Sequence, residues 1–250
     1  AATHAAHGAV KGASQVGIED AAGKYISENV EGALLEASNY AVDALMTYGG
    51  GTAYTQATIN SALTAIGTVN KTTLLLRPGT WVISSNADWS AYTNVTFKIV
   101  PGTMVSHGAF TVNIPNRDLG GTVFQWLSGS GTVILSGNVL EVYPDEFATN
   151  TTPGTTDMST ALSSAVQSGV KRLVLRGTKY AYTGLTIPDG TKDLTIEGIA
   201  VEYHAGSSQL WFTPTTGNGI YFAGDCDYFT LRNLTLNAHG GESDSVCIAD

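Results

Sequence analysis

TTDMSTALSSAVQSGVKRLVLRGTKYAYTGLTIPDGTKDLTIEGI, residues 155–199, carries an amphipathic stretch, a hydrophobic run, an aromatic and two further apolar runs, all separated by turn residues. Met158, Ala161, Leu162 and Ala165 recur at i, i+3, i+4 and i+7, which predicts one apolar face of a short helix. Asp157 reads as its N-cap and Gly169 as its stop. A helix of about three turns is not stable alone, so it must lie against something apolar. The run at 172–176 then reads as a strand, followed by Gly177-Thr178 and the aromatic Tyr180.

The same statement stands 99 residues earlier. TINSALTAI at 58–66 aligns with DMSTALSSA at 157–165, LLLR at 74–77 with LVLR at 173–176, and NVTF at 94–97 with DLTI at 193–196. Ile59, Ala62, Leu63 and Ile66 predict the first helix, with Thr58 as N-cap and Gly67 as stop; the strand at 73–77 and Trp81 follow. No second long helix comes after either strand, which argues against a doubly wound sheet.

What does come is a series of short apolar bursts. They fall at Val82, 95–97, Val105, 112–114, 123–124 and 133–135, then at 185–187, 194–196, 201–203, 220–222, 229–231, 234–236 and 246–248. Pro-Gly, Gly-Gly and Gly-Ser-Gly turns separate them. Many short strands mean a sandwich or a solenoid. FTL, LTL and VCI are too brief for sandwich strands, and they read instead as rungs, each stacking its apolar pair on the rung before.

Residues 155–199 resemble the entrance of the right-handed parallel β-helix of phage tailspikes and tail fibres, a group within the pectate-lyase-like superfamily. Asp157, Ala161, Leu162, Leu173, Leu175, Gly177, Tyr180, Leu185, Ile187, Leu194, Ile196 and Gly198 carry the match. The first copy matches more loosely through Ile59, Leu63, Leu75, Pro78, Gly79, Trp81, Val95 and Phe97. The resemblance implies a mainly β fold: a short N-terminal helical segment, then duplicated helix-capped β units leading into a right-handed parallel β-helix. Asp157, Leu162, Gly177, Tyr180 and Ile196 are its expected structural markers.

Three parts are expected: a linker and helix at 1–48, a first β unit at 49–145 and a second at 146–250. Val30, Leu34, Ala37, Ala41 and Leu45, widened by Leu35 and Val42, predict one broad apolar helix face. The resemblance implies that this face builds a three-chain bundle; packing on the chain's own β domain is the alternative. GGGT at 49–52 lacks the Lys-Ser/Thr ending of a phosphate loop and reads as a linker.

Composition narrows function without choosing it. Charged residues are only 13% of the 250, against a usual quarter, and glycine numbers 29, which suits stacked β rungs. A net charge of -9 with no basic stripe argues against nucleic acid, and no apolar run approaches the length of a membrane span. His4 and His7 have no cysteine or carboxylate cluster beside them, so neither a metal nor a cofactor is expected. Cys226 and Cys247 read as structural thiols, with a disulfide between neighbouring rungs as the alternative.

A glycosidase needs two carboxylates roughly 5 to 9.5 Å apart. The acidic group near the end, Asp225, Asp227, Glu242, Asp244 and Asp250, supplies the catalytic candidates Asp225, Asp227, Asp244 and Asp250, with solvated turn acids as the alternative. Tyr203, Trp211 and Tyr228 are candidates for stacking on sugar rings, and Arg232 for binding a substrate carboxylate. The strand at 246–248 runs straight to Asp250 without a cap, so the body is expected to continue beyond it.

The resemblance therefore implies a tailspike or fibre segment that connects the virion to a receptor-binding or depolymerase body. It would be a homotrimer, docked to other virion proteins through its N-terminal region, located in the virion tail or a surface appendage and extracellular after lysis. A polysaccharide-degrading enzyme acting on host surface glycan and a non-catalytic glycan-binding module are the competing readings.

Overall fold

A computed structural model describes residues 41–199, 207–214, 218–238 and 248–249. The first copy opens with β1 (Ala41–Asp43), α1 (Ala44–Tyr48) and α2 (Gln56–Ile66). Three circuits of chain follow. They are β2 (Thr72–Leu76), β3 (Gly79–Val82) and β4 (Ala87–Asp88); β5 (Val95–Ile99), β6 (Thr103–Gly108) and β7 (Val112–Ile114); β8 (Arg117–Asp118), β9 (Leu127–Gly129) and β10 (Val133–Leu135).

The second copy repeats the plan after a single 3-10 turn, Pro144–Glu146, and α3 (Ser159–Gln167). Its circuits are β11 (Arg172–Leu175), β12 (Lys179–Tyr182) and β13 (Leu185–Ile187); β14 (Thr195–Gly198), β15 (Gln209–Phe212) and β16 (Ile220–Phe222); β17 (Thr230–Arg232), β18 (Thr235–Ala238) and β19 (Ile248–Ala249). The sheets run β1-β2-β5-β8, β3-β6-β9 and β4-β7-β10, then β11-β14-β17, β12-β15-β18 and β13-β16-β19. All strand pairs are parallel. Consecutive strands lie on consecutive sides, and every third strand stacks on its predecessor. This is a three-sided parallel β-helix, written twice.

Register explains the core. Leu74 pairs with Phe97 and Leu76 with Ile99; Trp81 pairs with Val105, and Val105 with Leu127; Val112 pairs with Val133 and Ile114 with Leu135. In the second copy Leu173, Ile196 and Leu231 form one column and Tyr180, Leu210 and Leu236 another. In-register parallel pairing puts each inward residue on the inward residue below it, so alternation by two on every strand becomes continuous apolar columns. Backbones approach closely where rungs stack: a Cβ on Gly198 would lie 2.0 Å from the Asn233 carbonyl oxygen.

Each capping helix takes the place of a strand. Below the first full circuit β1 occupies the first side, Thr55 bridges Val82 on the second, and α2 meets the third, where Trp89 Nε1 donates to Asn60 Oδ1 at 2.8 Å. In the second copy Val142 bridges Leu173, Asp157 bridges Ala181, and α3 packs on β13. The duplication thus reaches back to Val42 and Val142, well before its first legible letters.

The two stacks share one core, and α3 lies between them. It touches β10 on one side and β13 on the other, Leu135 N donates to Ser168 O, and Leu162 is fully buried. A polar staple sits at the same level. Glu146 is fully buried; it accepts from Arg117 Nε at 2.7 Å and Nη2 at 2.5 Å, from Trp126 Nε1 at 2.8 Å and from Tyr143 N at 3.0 Å. Burial pushes the Glu146 carboxyl upward, while the Arg117 charge and these donors pull it down. Beside it the buried Tyr180 hydroxyl donates to Asp145 Oδ2 at 2.6 Å; burial first, then the Asp145 charge, drives that hydroxyl far above the usual tyrosine range.

Several expectations need correction. The first helix is capped by Thr55, whose hydroxyl accepts from Thr58 N; Thr58 is buried and its hydroxyl donates to Ala53 O. Asp157 precedes the cap position by one residue, and its carboxylate accepts from Ser159 N at 2.9 Å. Residues 123–124 form no strand; the strand of that side is β9. The runs near 230 and 235 are two sides of one circuit rather than successive rungs, because Asn233, at φ 55, turns the chain between them. Ala41 and Val42 belong to a strand and Leu45 enters the chain's own core, so the broad helix face does not extend through them. Val30, Leu34, Leu35 and Ala37 lie outside the described residues.

Leu162→Ala is expected to cost about 2–5 kcal/mol in guanidinium unfolding followed by circular dichroism, because it opens a void at the junction of the two stacks. Glu146→Ala leaves Arg117 buried without its partner and is expected to cost about 3–5 kcal/mol in the same measurement.

Candidate functional site

The outer face of the first sheet in the second copy carries a ladder of alternating charge. Arg172 Nε donates to Glu197 Oε2 at 2.7 Å and its Nη1 to Glu141 Oε2 at 3.1 Å. Arg232 Nη2 donates to the same Glu197 Oε2 at 2.9 Å, and Asn233 Nδ2 to Oε1 at 3.3 Å. The strands force this meeting, since Glu197 pairs with Val174 below and Arg232 above. Hydrogen bonding from Arg232, and then from Arg172, holds the Glu197 carboxyl below its ordinary range. A carboxylate so held is a poor proton donor near neutrality. Glu141 also accepts from the Tyr143 hydroxyl at 2.6 Å, which burial and that contact push up to about 12.

Arg232, the candidate for a substrate carboxylate, is therefore tied into this ladder, with half of its side chain exposed. The other candidates fall elsewhere. Asp225 N donates to Asp189 Oδ1 at 2.9 Å, and Asp225 O accepts from Gly190 N. Asp227 bridges Lys192, to which its carboxylate is also ion-paired at 3.4 Å. The loop after β16 thus lies on the loop after β13, Asp225 engaging the turn below through its backbone and Asp227 through its carboxylate. Cys226 has a free thiol that donates to Pro188 O at 3.3 Å.

Trp211 lies on β15, with Lys179 Nζ 4.5 Å from its ring centroid. Tyr228 is 81% exposed in a left-handed turn at φ 59, before β17. Trp211, Tyr228 and Arg232 therefore sit on two sides of the helix and the turn between sides. Tyr203, Asp244, Asp250, Glu242 and Cys247 lie outside the described residues. Among the described residues no group of three or more His, Cys, Asp and Glu side chains is placed to hold a metal, and no helix is long and apolar enough to cross a membrane.

One feature escaped the sequence reading. Between α2 and the β4 segment lies a groove of about 320 Å³, lined by Gln56, Asn60, Asn86, Asp88, Trp89 and Tyr92 among others. Asn60 faces it because it stands one position past Ile59 on the helix, while Asn86 and Asp88 flank the buried Ala87. The signal available was a cluster of side-chain amides and aromatics present only in the first copy: Asn60 corresponds to Ser159 at the 99-residue offset.

Fold and surface together define a parallel β-helix scaffold. Comparison of the chain with family models, with curated proteins and with solved structures gives no match in any of the three.

Arg232→Ala is expected to change stability by only about 0–1 kcal/mol, since its half of the ladder faces solvent. Glu197 has a lowered value in the folded state, so its contribution is present above the normal glutamate range and lost as pH falls through the lowered value. The wild type is expected to lose stability below about pH 4, and Glu197→Gln to flatten that part of a pH-stability profile.

Proposed function

We propose that this chain is a spacer and attachment segment of a phage tailspike or fibre-like protein, holding a receptor-binding or depolymerase body at a set distance from the particle. The observation that supports it most is the single core running through both helix-capped stacks. Two copies joined through a shared helix and a buried ion pair resist bending at the junction, where a flexible linker would lose orientation. With rungs about 4.8 Å apart, such a stack spans on the order of 35 Å.

Two of the candidate side chains, Asp227 and Arg232, fit this reading. Asp227 is ion-paired to the turn below, and Arg232 is bound to Glu197. Side chains committed to rung-to-rung contacts serve rigidity. The docking end is assigned to the part of residues 1–48 that precedes β1, since β1 and α1 belong to the first stack, and the working assembly is a homotrimer. Light-scattering mass at micromolar concentration is expected to give three times the 26.1 kDa chain. A mass of one chain would overturn the proposal.

A further inference from the structure

We propose that the groove between α2 and the β4 segment is a saccharide-binding site for one or two sugar residues. This inference does not rest on the spacer reading.

Three amide side chains in the groove are oriented by the protein itself. Gln56 is 7% exposed, and its Oε1 accepts from Ser84 N at 3.0 Å and Ser85 N at 3.1 Å. Asn60 Oδ1 accepts from Trp89 Nε1, and Asn86 Oδ1 accepts from Thr111 N at 3.0 Å. With each oxygen engaged, the amide orientation is set and each NH2 is the remaining group. None of these three NH2 groups donates to a protein atom among the described residues. Backbone N–H groups and the buried Trp89 therefore fix the three amides and leave their NH2 groups as donors at one groove.

The rest of the lining completes the set. Asp88 Oδ1 accepts from Ser90 N at 3.0 Å, and hydrogen bonding from Ser90 keeps that carboxyl below its ordinary range, so it is an ionised acceptor. Tyr92 adds a half-buried ring with a hydroxyl. Trp89 stacks on Phe97, with centroids 5.4 Å apart, and forms the floor rather than the contact surface. The volume lies at the lower edge of small-molecule sites, roughly 300–1,000 Å³.

Ligand class follows from the mixture. An anion is repelled by Asp88, and an apolar ligand would strip water from three donors without replacing it. A cation would leave the amides unused. Sugar hydroxyls accept from the amides, donate to the carboxylate and lay C–H faces on Tyr92.

The second copy supplies an internal control. It builds the same helix and third-side strand with Ser159 in place of Asn60, and its outward positions on and beside that strand are Gly184, Thr186 and Pro188. The fold does not need the amide set. Its presence in one copy alone is what a local binding task would leave.

The test follows the side-chain NH2 signals of Gln56, Asn60 and Asn86 in a ¹⁵N-labelled chain titrated with methyl glycosides of glucose, galactose, mannose and N-acetylglucosamine. At least one glycoside is expected to shift all three, saturating in the range of about 1–10 mM typical of so small a ligand. Thr64→Arg, at an exposed helix position that lines the groove, is expected to fill it and abolish the shifts with an unchanged melting temperature. Asp88→Asn is expected to weaken binding at least fivefold. No shift with any glycoside up to 50 mM, equal shifts with N-acetylglycinamide, or shifts that survive Thr64→Arg would overturn the proposal.

Discussion

Everything in this molecule depends on covering the ends of an apolar column. In-register parallel pairing makes the interior of a three-sided stack cheap to extend, because every added rung buries the rung below. It also leaves the first layer open, with unpaired strand edges and exposed side chains. Both copies meet this with the same device: a short helix whose Ala and Leu face replaces one strand of the lowest layer. Neither helix is long enough to stand alone, so helix and column stabilise each other. In the second copy the device has two tenants, since α3 covers one stack and underlies the other.

The joint shows why a buried charge is tolerated there. Glu146 is removed from water, yet each oxygen accepts from two donors and the guanidinium is bidentate. Those donors come from the first stack and from the turn that starts the second. A pair of this kind adds little net stability over an apolar pair but admits few alternative arrangements, which suits a junction whose angle matters. The outer ladder of Arg172, Glu197 and Arg232 is its exposed counterpart, weaker and dependent on pH.

Much of the architecture was legible. The 99-residue repeat, the two helix faces and the alternation of apolar residues together identify a duplicated, helix-capped solenoid. Two-residue strands such as Ala87–Asp88 and Arg117–Asp118 were not legible, because two residues carry no period. Nor was the start of each copy at Val42 and Val142: a single inward valine defines a strand only when a neighbouring strand pairs with it. The candidate site was less legible than the fold. Asp225 and Asp227, close in sequence, engage the turn below differently, Asp225 through its backbone N–H on Asp189 and Asp227 through its carboxylate on Lys192, and side chains 26 to 32 residues apart, from Asn60 to Asn86 and Tyr92, line one groove.

Sequence by itself determined the repeat, the inward and outward alternation and the need for a cap, since these follow from local periodicity and from the cost of exposing apolar surface. Tertiary structure alone decided which short strands share a side and which stack. It also decided which polar groups are spent on neighbouring rungs. Rung stacking joins residues 20 to 35 positions apart through backbone register, and register depends on turn lengths and left-handed residues such as Asp193, Tyr228 and Asn233 whose effect is spatial. That is why side chains far apart in the chain, Gln56, Asn60, Asn86 and Asp88, come to line one groove although no local pattern joins them.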